Sequence, residues 1–366
     1  MKGAKPKKKG VYLWKKGRLG EKQMEVSHFN KSEVEKKIKG ITYSQDWSAY
    51  NSAQTKEKTI CEKLLLELMD SIPDREIYSK KGGRPWTPIR ERVYAMFIYA
   101  YSGYSSRRCI SDLKIAQQRS ILSNIPHFNS ILNFYSNKSA TTLLMKLIWM
   151  TSLPLRNVEE DIAVDSSGFS TSRFERWFNV RTQEKEMKRH WKKAHICVGV
   201  KSNIITSIEI TDGTNADCPE LIPLLEQTDK NFDMKEVSAD KAYLSRENFE
   251  RIAEMGAIPY IPFKSNSVRK KLGSAIWSRM FDYFLIKREE FDKCYHKRSN
   301  VETTFHMIKR KFGNSLKTKK DRSQVNEILT KCLCHNLTVL VHESIGMGLE
   351  IDLGNCARKI LAQQPN

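Results

Sequence analysis

Beyond Pro154 the hydrophobic pattern of this 366-residue chain changes period, and that change limits the folds open to it more than any other feature. Before it, apolar residues recur at helical spacing, as in KTICEKLLLELMDSI and RERVYAMFIYAYSGYS. After it, short apolar runs of strand length alternate with helical segments. IAVD reads as a buried strand, HICVGVKSN and IITSIEITDG as two strands turning at Ser202 and Asn203, and MKEVSAD and GAIPYIPF as two more. Helices are predicted at CPELIPLLEQ, at SRENFERIAEMG and, after the last strand, at CYHKRSNVETTFHMIKRKFG. Three strands, then helix, strand, helix, strand, helix describe an α/β fold, a mixed five-stranded sheet with flanking helices. A long apolar helix, NEILTKCLCHNLTVLVHESI, follows.

The part before Pro154 divides in two. Residues 1–40 hold 13 Lys or Arg against 4 Glu with little periodicity, so residues 1–42 are expected to be a mobile basic arm that scans phosphates. Residues 43–155 form a helical region, with KKGGRPWTP as a loop by its glycine and proline content. Within it, SSRRCISDLKIAQQRSIL, the break NIPHFNS and ILNFYSNKSATTLLMKLIWM suggest a helix-turn-helix DNA reader, capped at Ser105 or Ser106 and at Asn129 or Ser130. A plain helical bundle fits the same pattern. The sheet-forming domain covers 156–346, and 347–366 are a tail with little pattern.

Lys and Arg number 63 against 42 Asp and Glu, a net +21 that calls for a polyanionic partner, nucleic acid first. No apolar run approaches the ~18 residues of a membrane span, and MKGAKPKKKG lacks a signal-peptide core, so an intracellular protein is expected. Eight scattered cysteines read as reduced thiols. Cys332, Cys334 and His335 lack a second ligand pair at zinc spacing and sit in an apolar helical pattern, so they are read as core.

Wound at roughly 100° per residue, Tyr295, Arg298, Glu302 and Lys309 fall within an arc of about 60°. Val301, Phe305, Ile308 and Phe312 make the adjoining apolar stripe that packs a helix on a sheet. Asp165 follows the apolar run of IAVD and Asp240 that of EVSAD, each where a buried strand is expected to end. Two strand-end aspartates and a helical glutamate can converge on a pair of divalent cations, since hard oxygen ligands suit Mg²⁺ or Mn²⁺. Each aspartate alone is as readily a turn former.

AVDSSGF around Asp165, SADKAYLS around Asp240 and the spaced set Tyr295, Arg298, Glu302, Lys309 resemble the DDE transposases of prokaryotic insertion sequences, in the branch bearing the YREK signature. RHWKKAH (Arg189 to His195), Asp217 in TNADCPEL and the CHNLTVLVHE helix extend the resemblance over most of the chain. It implies a ribonuclease H-like catalytic domain in which Asp165, Asp240 and Glu302 bind two catalytic Mg²⁺ or Mn²⁺ ions. Tyr295, Arg298 and Lys309 would grip the transposon end. The reaction implied is metal-dependent strand cleavage and strand transfer on double-stranded DNA, at terminal inverted repeats and target, by a homodimer in a prokaryotic cytoplasm and nucleoid. A structure-directed nuclease on the same fold and a silent, transposase-derived DNA-binding protein are the alternatives.

Asp240 and Glu302 are 62 positions apart, which leaves no room for the β-rich insertion some relatives carry there. Trp277 could stack on a base flipped out near the cut, or simply pack. Lys192, Lys193 and His195, read as preceding a strand, could touch DNA or, for His195, act on the attacking water; a solvated strand edge is the blander reading. Asp217 rivals the triad for a metal position, but a cap before Pro219 accounts for it.

Overall fold

A computed structural model of the protein describes residues 11–17, 20–26, 46–70, 87–171, 191–270, 274–347, 351 and 353–354. The rest of the basic arm, most of the KKGGRPWTP loop, Arg189 and His190, and nearly all of the tail lie outside them. Inside the arm, β1 (Val11–Gly17) pairs antiparallel with β2 (Gly20–Val26), with Gly17 opposite Gly20. That stretch is therefore not irregular throughout: VYLW is rich in residues that favour a pleated strand.

Among the described residues five helices follow: α1 (Trp47–Asp70), α2 (Ile89–Ser102), α3 (Ser106–Gln118), α4 (Phe128–Tyr135) and α5 (Lys138–Ser152). Ser105 caps α3 through the Arg108 amide, as expected. The next cap is His127, whose Nδ1 accepts from the Asn129 amide, and Asn137 opens α5, so the segment read as one helix from Ile131 onward is two. The connection from α3 to α4, residues 119–127, is too long for a helix-turn-helix turn of three or four residues. Short turns stand elsewhere: Gly103, Tyr104 and Ser105 between α2 and α3, and Ser136 and Asn137 between α4 and α5. Gly103 adopts φ 67°, a left-handed helix exit that glycine takes without strain.

The sheet consists of β3 (Asp161–Ser170), β4 (Trp191–Gly199), β5 (Ile205–Asp212), β6 (Glu236–Ala239) and β7 (Ile258–Tyr260). Its order is β5-β4-β3-β6-β7, with β4 antiparallel to both neighbours and β3, β6 and β7 mutually parallel. This is the predicted mixed five-stranded sheet, with the helical part ahead of it. The β4–β5 turn includes Asn203 at φ 66°, where it was expected. Interleaved helices are α6 (Leu221–Asp229), α7 (Arg246–Glu254), α8 (Ala275–Ile286), α9 (Arg288–Tyr295), α10 (Ser299–Phe312) and α11 (Asp321–Met347).

Alternation along β3 divides the core in two. Ile162 and Val164 join an apolar cluster with Leu221, Leu224, Phe249, Phe291 and their neighbours. Ala163 and Phe169 point the other way, into a larger cluster with Val301, Phe305, Ile308 and Phe312 of α10, with α11 and with the helices before residue 156. The stripe read from the sequence is thus the buried face of α10. Helix α11 is buried on all sides from Ile328 to Val341, and its polar members Lys331, His335 and Asn336 are paired with backbone carbonyls of neighbouring segments. Cys332, Cys334 and His335 lie inside it, and Cys61, Cys109, Cys197, Cys218 and Cys294 are likewise free thiols. Among the described residues no helix is long and apolar enough to cross a membrane.

Candidate active site

Strand β3 does not end at Asp165. It continues to Ser170 because β4 pairs with its whole length, Asp165 opposite Ile196. On its other edge the parallel pairing with β6 stops at Val164 and Ala239. The next residues on the two strands are Asp165 and Asp240, so the end of β6, not of β3, sets the two carboxylates side by side. Asp240 Oδ1 accepts from the Lys241 amide at 2.7 Å and caps the short turn Lys241–Tyr243.

The third carboxylate arrives from the opposite direction. Helix α9 ends at Tyr295, a tight turn spans His296–Arg298, and α10 begins at Ser299, so the four-residue face crosses a helix junction and does not lie on one helix. Lys297 clamps that junction to the sheet, its Nζ lying 2.8 Å from Asp161 and 2.5 Å from Glu236, the paired first residues of β3 and β6. Sequence reasoning missed Lys297; its signal was an acid at the start of both β3 and β6.

Arg298 then reaches back between two acids. Its Nη1 donates to Asp165 Oδ2 at 2.6 Å and its Nη2 to Glu302 Oε1 at 2.6 Å. Burial raises the Asp165 pKa, and the charges of Asp240 and Glu302 push in the same direction, against the Ser166 amide and Arg298. That repulsion places all three acids within electrostatic reach. Burial opposes the charge on Arg298 too, but its neighbours outweigh it and its pKa lies above the ordinary arginine value. Among the described residues no three acidic, His or Cys side chains form a closed metal cage. The Arg298 guanidinium is the cation between Asp165 and Glu302.

Lys309, two turns along α10, donates from Nζ to Ser167 Oγ at 2.6 Å and lies 5.2 Å from the centre of the Phe169 ring. Its burial lowers its pKa. Tyr295 packs beside Phe291 and lies 5.8 Å from Arg298, and burial raises its pKa. The site opens to solvent at Glu302, whose side chain is 58 % exposed.

The remaining candidates are placed elsewhere. Lys192, Lys193 and His195 lie within β4, a central strand, and are neither ahead of it nor on a solvated edge. Lys192 pairs with Asp212 and Asp321. His195 is fully buried with Nε2 2.8 Å from Thr211 Oγ1, and burial lowers its pKa to about 4, so it is neutral at pH 7. Asp217 makes no side-chain cap bond. It accepts from Ser166 Oγ at 2.9 Å, pairs with Lys193 at 2.5 Å and lies 3.4 Å from His195. Since Ser166 and Asp165 point to opposite faces of β3, this cluster stands behind the triad and does not join it. Trp277 is 4 % exposed, donates to the Val268 carbonyl at 2.9 Å and packs edge-on against Phe249 and Phe263, so its ring is core.

No curated protein sequence matches the chain. Among solved structures, it is similar to a piggyBac transposase in a synaptic complex with hairpin DNA, at 11% identity over 84% of this chain and 82% of that one, with a TM-score of 0.40. The segment that contains the five-stranded sheet, Asp165, Asp240, Arg298, Glu302 and Lys309, residues 156–337, matches the family described as the transposase DDE domain.

Proposed function

We propose that the protein is a DNA transposase that binds the inverted repeats at the ends of an insertion sequence, cuts a strand there and joins the freed 3′-hydroxyl to target DNA. The observation that carries this reading is that Arg298 bridges Asp165 of β3 and Glu302 of α10, while Asp240, one residue past the paired end of β6, adds its charge beside Asp165. The match of residues 156–337 to a transposase domain supports it.

Three carboxylates offer an all-oxygen donor set, and their mutual repulsion at Asp165 is what a divalent cation relieves. Asp165, Asp240 and Glu302 would hold two Mg²⁺ or Mn²⁺ ions, which when bound supply Lewis-acid activation of the attacking oxygen and charge for the leaving one. Asp165 and Asp240 are fixed by adjacent parallel strands, so their separation is set by backbone hydrogen bonds. Arg298, released from the carboxylates, presents a planar fork suited to bidentate phosphate contact. Lys309 offers a point charge on the same side of the helix, and Tyr295 a hydroxyl. The phosphodiester is first broken by water; the 3′-oxygen then attacks a target phosphate, displacing its 3′-oxygen leaving group at the same site. A homodimer holding two ends, acting at the nucleoid, completes the reading.

The test is cleavage of an end-containing duplex with Mg²⁺ by the wild type and by Asp165→Ala, Asp240→Ala and Glu302→Ala, each confirmed folded by its melting temperature. Loss of cutting in all three is expected. Undiminished cutting by any variant removes that residue from the triad.

A further inference from the structure

A three-residue turn, Gly103, Tyr104 and Ser105, joins α2 to α3, and these two helices differ sharply in environment. Helix α2 is buried from Val93 to Ala100. Helix α3 buries only Cys109, Leu113 and Ala116, against α2 and α4, and turns its remaining face outward. That outward face carries Arg107, Arg108, Ser111, Lys114, Ile115 and Gln118, all exposed, Ile115 at 54 %. The single acid of the helix, Asp112, is turned inward to accept from Ser102 Oγ at 2.9 Å and pair with Lys58. The helix therefore presents to solvent three positive charges, two side chains that can donate and accept hydrogen bonds, and one apolar branch, with no carboxylate among them.

We infer that α3, and not the α4–α5 segment, reads the bases of duplex DNA in the major groove. The inference rests on the transposase reading and specifies its DNA-binding element. Thirteen residues at 1.5 Å rise make a rod about 20 Å long, which fits a groove about 12 Å wide. The face has what base-edge reading requires: Arg for guanine, Gln for adenine, an apolar contact for a thymine methyl. Arg107 at the first turn is held over the Phe128 ring at 4.7 Å, which orients it before DNA arrives. Backing by α2 and α4, which also pack on each other, gives the three-helix support such a reader needs.

The experiment is selection from a pool of randomised duplexes by the full-length protein, repeated with Arg108→Ala, Gln118→Ala and Ile115→Ala on α3 and with Asn133→Ala on α4 and Lys138→Ala on α5. All five side chains are exposed, so melting temperatures should stay at the wild-type value. The wild type should enrich a motif. The α3 variants should relax it at particular positions, with a loss of preference of roughly ten- to a hundredfold there, whereas Asn133→Ala and Lys138→Ala should leave it intact. An unchanged motif in the α3 variants, or a motif relaxed by Asn133→Ala or Lys138→Ala instead, overturns the inference. So does the absence of any enriched motif, while Mg²⁺-dependent cleavage, scored separately, decides the transposase reading.

Discussion

Arg298 and Asp165 are joined by a 2.6 Å charge-assisted hydrogen bond between residues 133 positions apart. The same guanidinium holds Glu302, one helical turn away, so a single side chain ties the central strand to the helix that packs across it. A fork is needed for this: lysine can supply the charge but cannot present two parallel donors. In the proposed cycle Arg298 exchanges these carboxylates for phosphate oxygens, so Arg298→Lys should recover little of what Arg298→Ala loses. End cleavage should fall by about a hundredfold in the alanine variant, on the scale of one removed charge-stabilising donor. Single-turnover rates on an end duplex check this, and a lysine variant as active as wild type would show that the fork is dispensable.

Lys309 should behave as a phosphate contact. Lys309→Ala is expected to weaken binding to any duplex alike and to reduce the slope of log affinity against log salt by about 1. Anisotropy titrations at several salt concentrations read both. An unchanged slope would assign Lys309 to its Ser167 bond alone.

Glu57 is a node between the N-terminal helices, α10 and α11. It is 4 % exposed on its side chain, accepts from Tyr101, pairs with Lys311 of α10 and lies 3.6 Å from His342 of α11. Burial alone would raise its pKa, but His342, Lys311 and Tyr101 prevail and hold it at about 2. With the folded value below the ordinary glutamate value of 4.5, the stabilisation is complete above pH 4.5 and is lost as pH falls towards 2. Lys311→Ala should cost about 3 kcal/mol, since it removes the lysine counter-charge from a buried carboxylate. Glu57→Ala should cost less, because Lys311 is one-third exposed and can turn to water. Denaturant melts of both singles and the double should show costs well short of additive.

His195 and His335 predict a separate acid sensitivity. Burial lowers both pKa values from 6.5 to about 4. The unfolded chain then takes up protons below pH 6.5 that the folded one refuses, so stability should drop as pH falls from 6.5 to 4, by about 3 kcal/mol per histidine. Thermal melts across that range test it, and His335→Asn should flatten the dependence.

Trp277→Ala should lower the melting temperature, with a cost of about 3 kcal/mol or more for a large buried ring. Trp277→Phe should melt close to wild type. A variant that loses end cleavage while melting normally would reinstate the ring as a contact to DNA.

Much of the sheet was legible because strand burial leaves a compact record: five short apolar runs, each bounded by polar or turn residues, became β3 to β7. The helical stripe of α10 was legible for the same reason. Helices α8 and α9 were not read, because their aromatic and charged residues, such as Phe281, Phe284 and Arg288, show no clean helical stripe. They instead hold an aromatic cluster around Phe263 and Phe291. Asp165 was expected at a strand end, since Ser166, Ser167 and Gly168 look like a turn; antiparallel pairing with β4 supplied the hydrogen bonds that kept those residues extended. The helix-turn-helix reading mistook NIPHFNS for a tight turn and passed over Gly103, because connection length is set by how helices pack.

By itself the sequence determined which chemistry is available: the identities and spacing of Asp165, Asp240, Arg298, Glu302 and Lys309, the basic balance, and the alternation of strands with helices. These depend on local periodicity and on side-chain type. Only the tertiary structure decided which acids meet. The pairing register that ends at Val164 and Ala239 sets Asp165 beside Asp240, while Lys297 locks the α9–α10 junction so that Arg298 spans Asp165 and Glu302. Strand alternation puts Asp217 and His195 on the far face, because side chains one residue apart on a strand point to opposite sides.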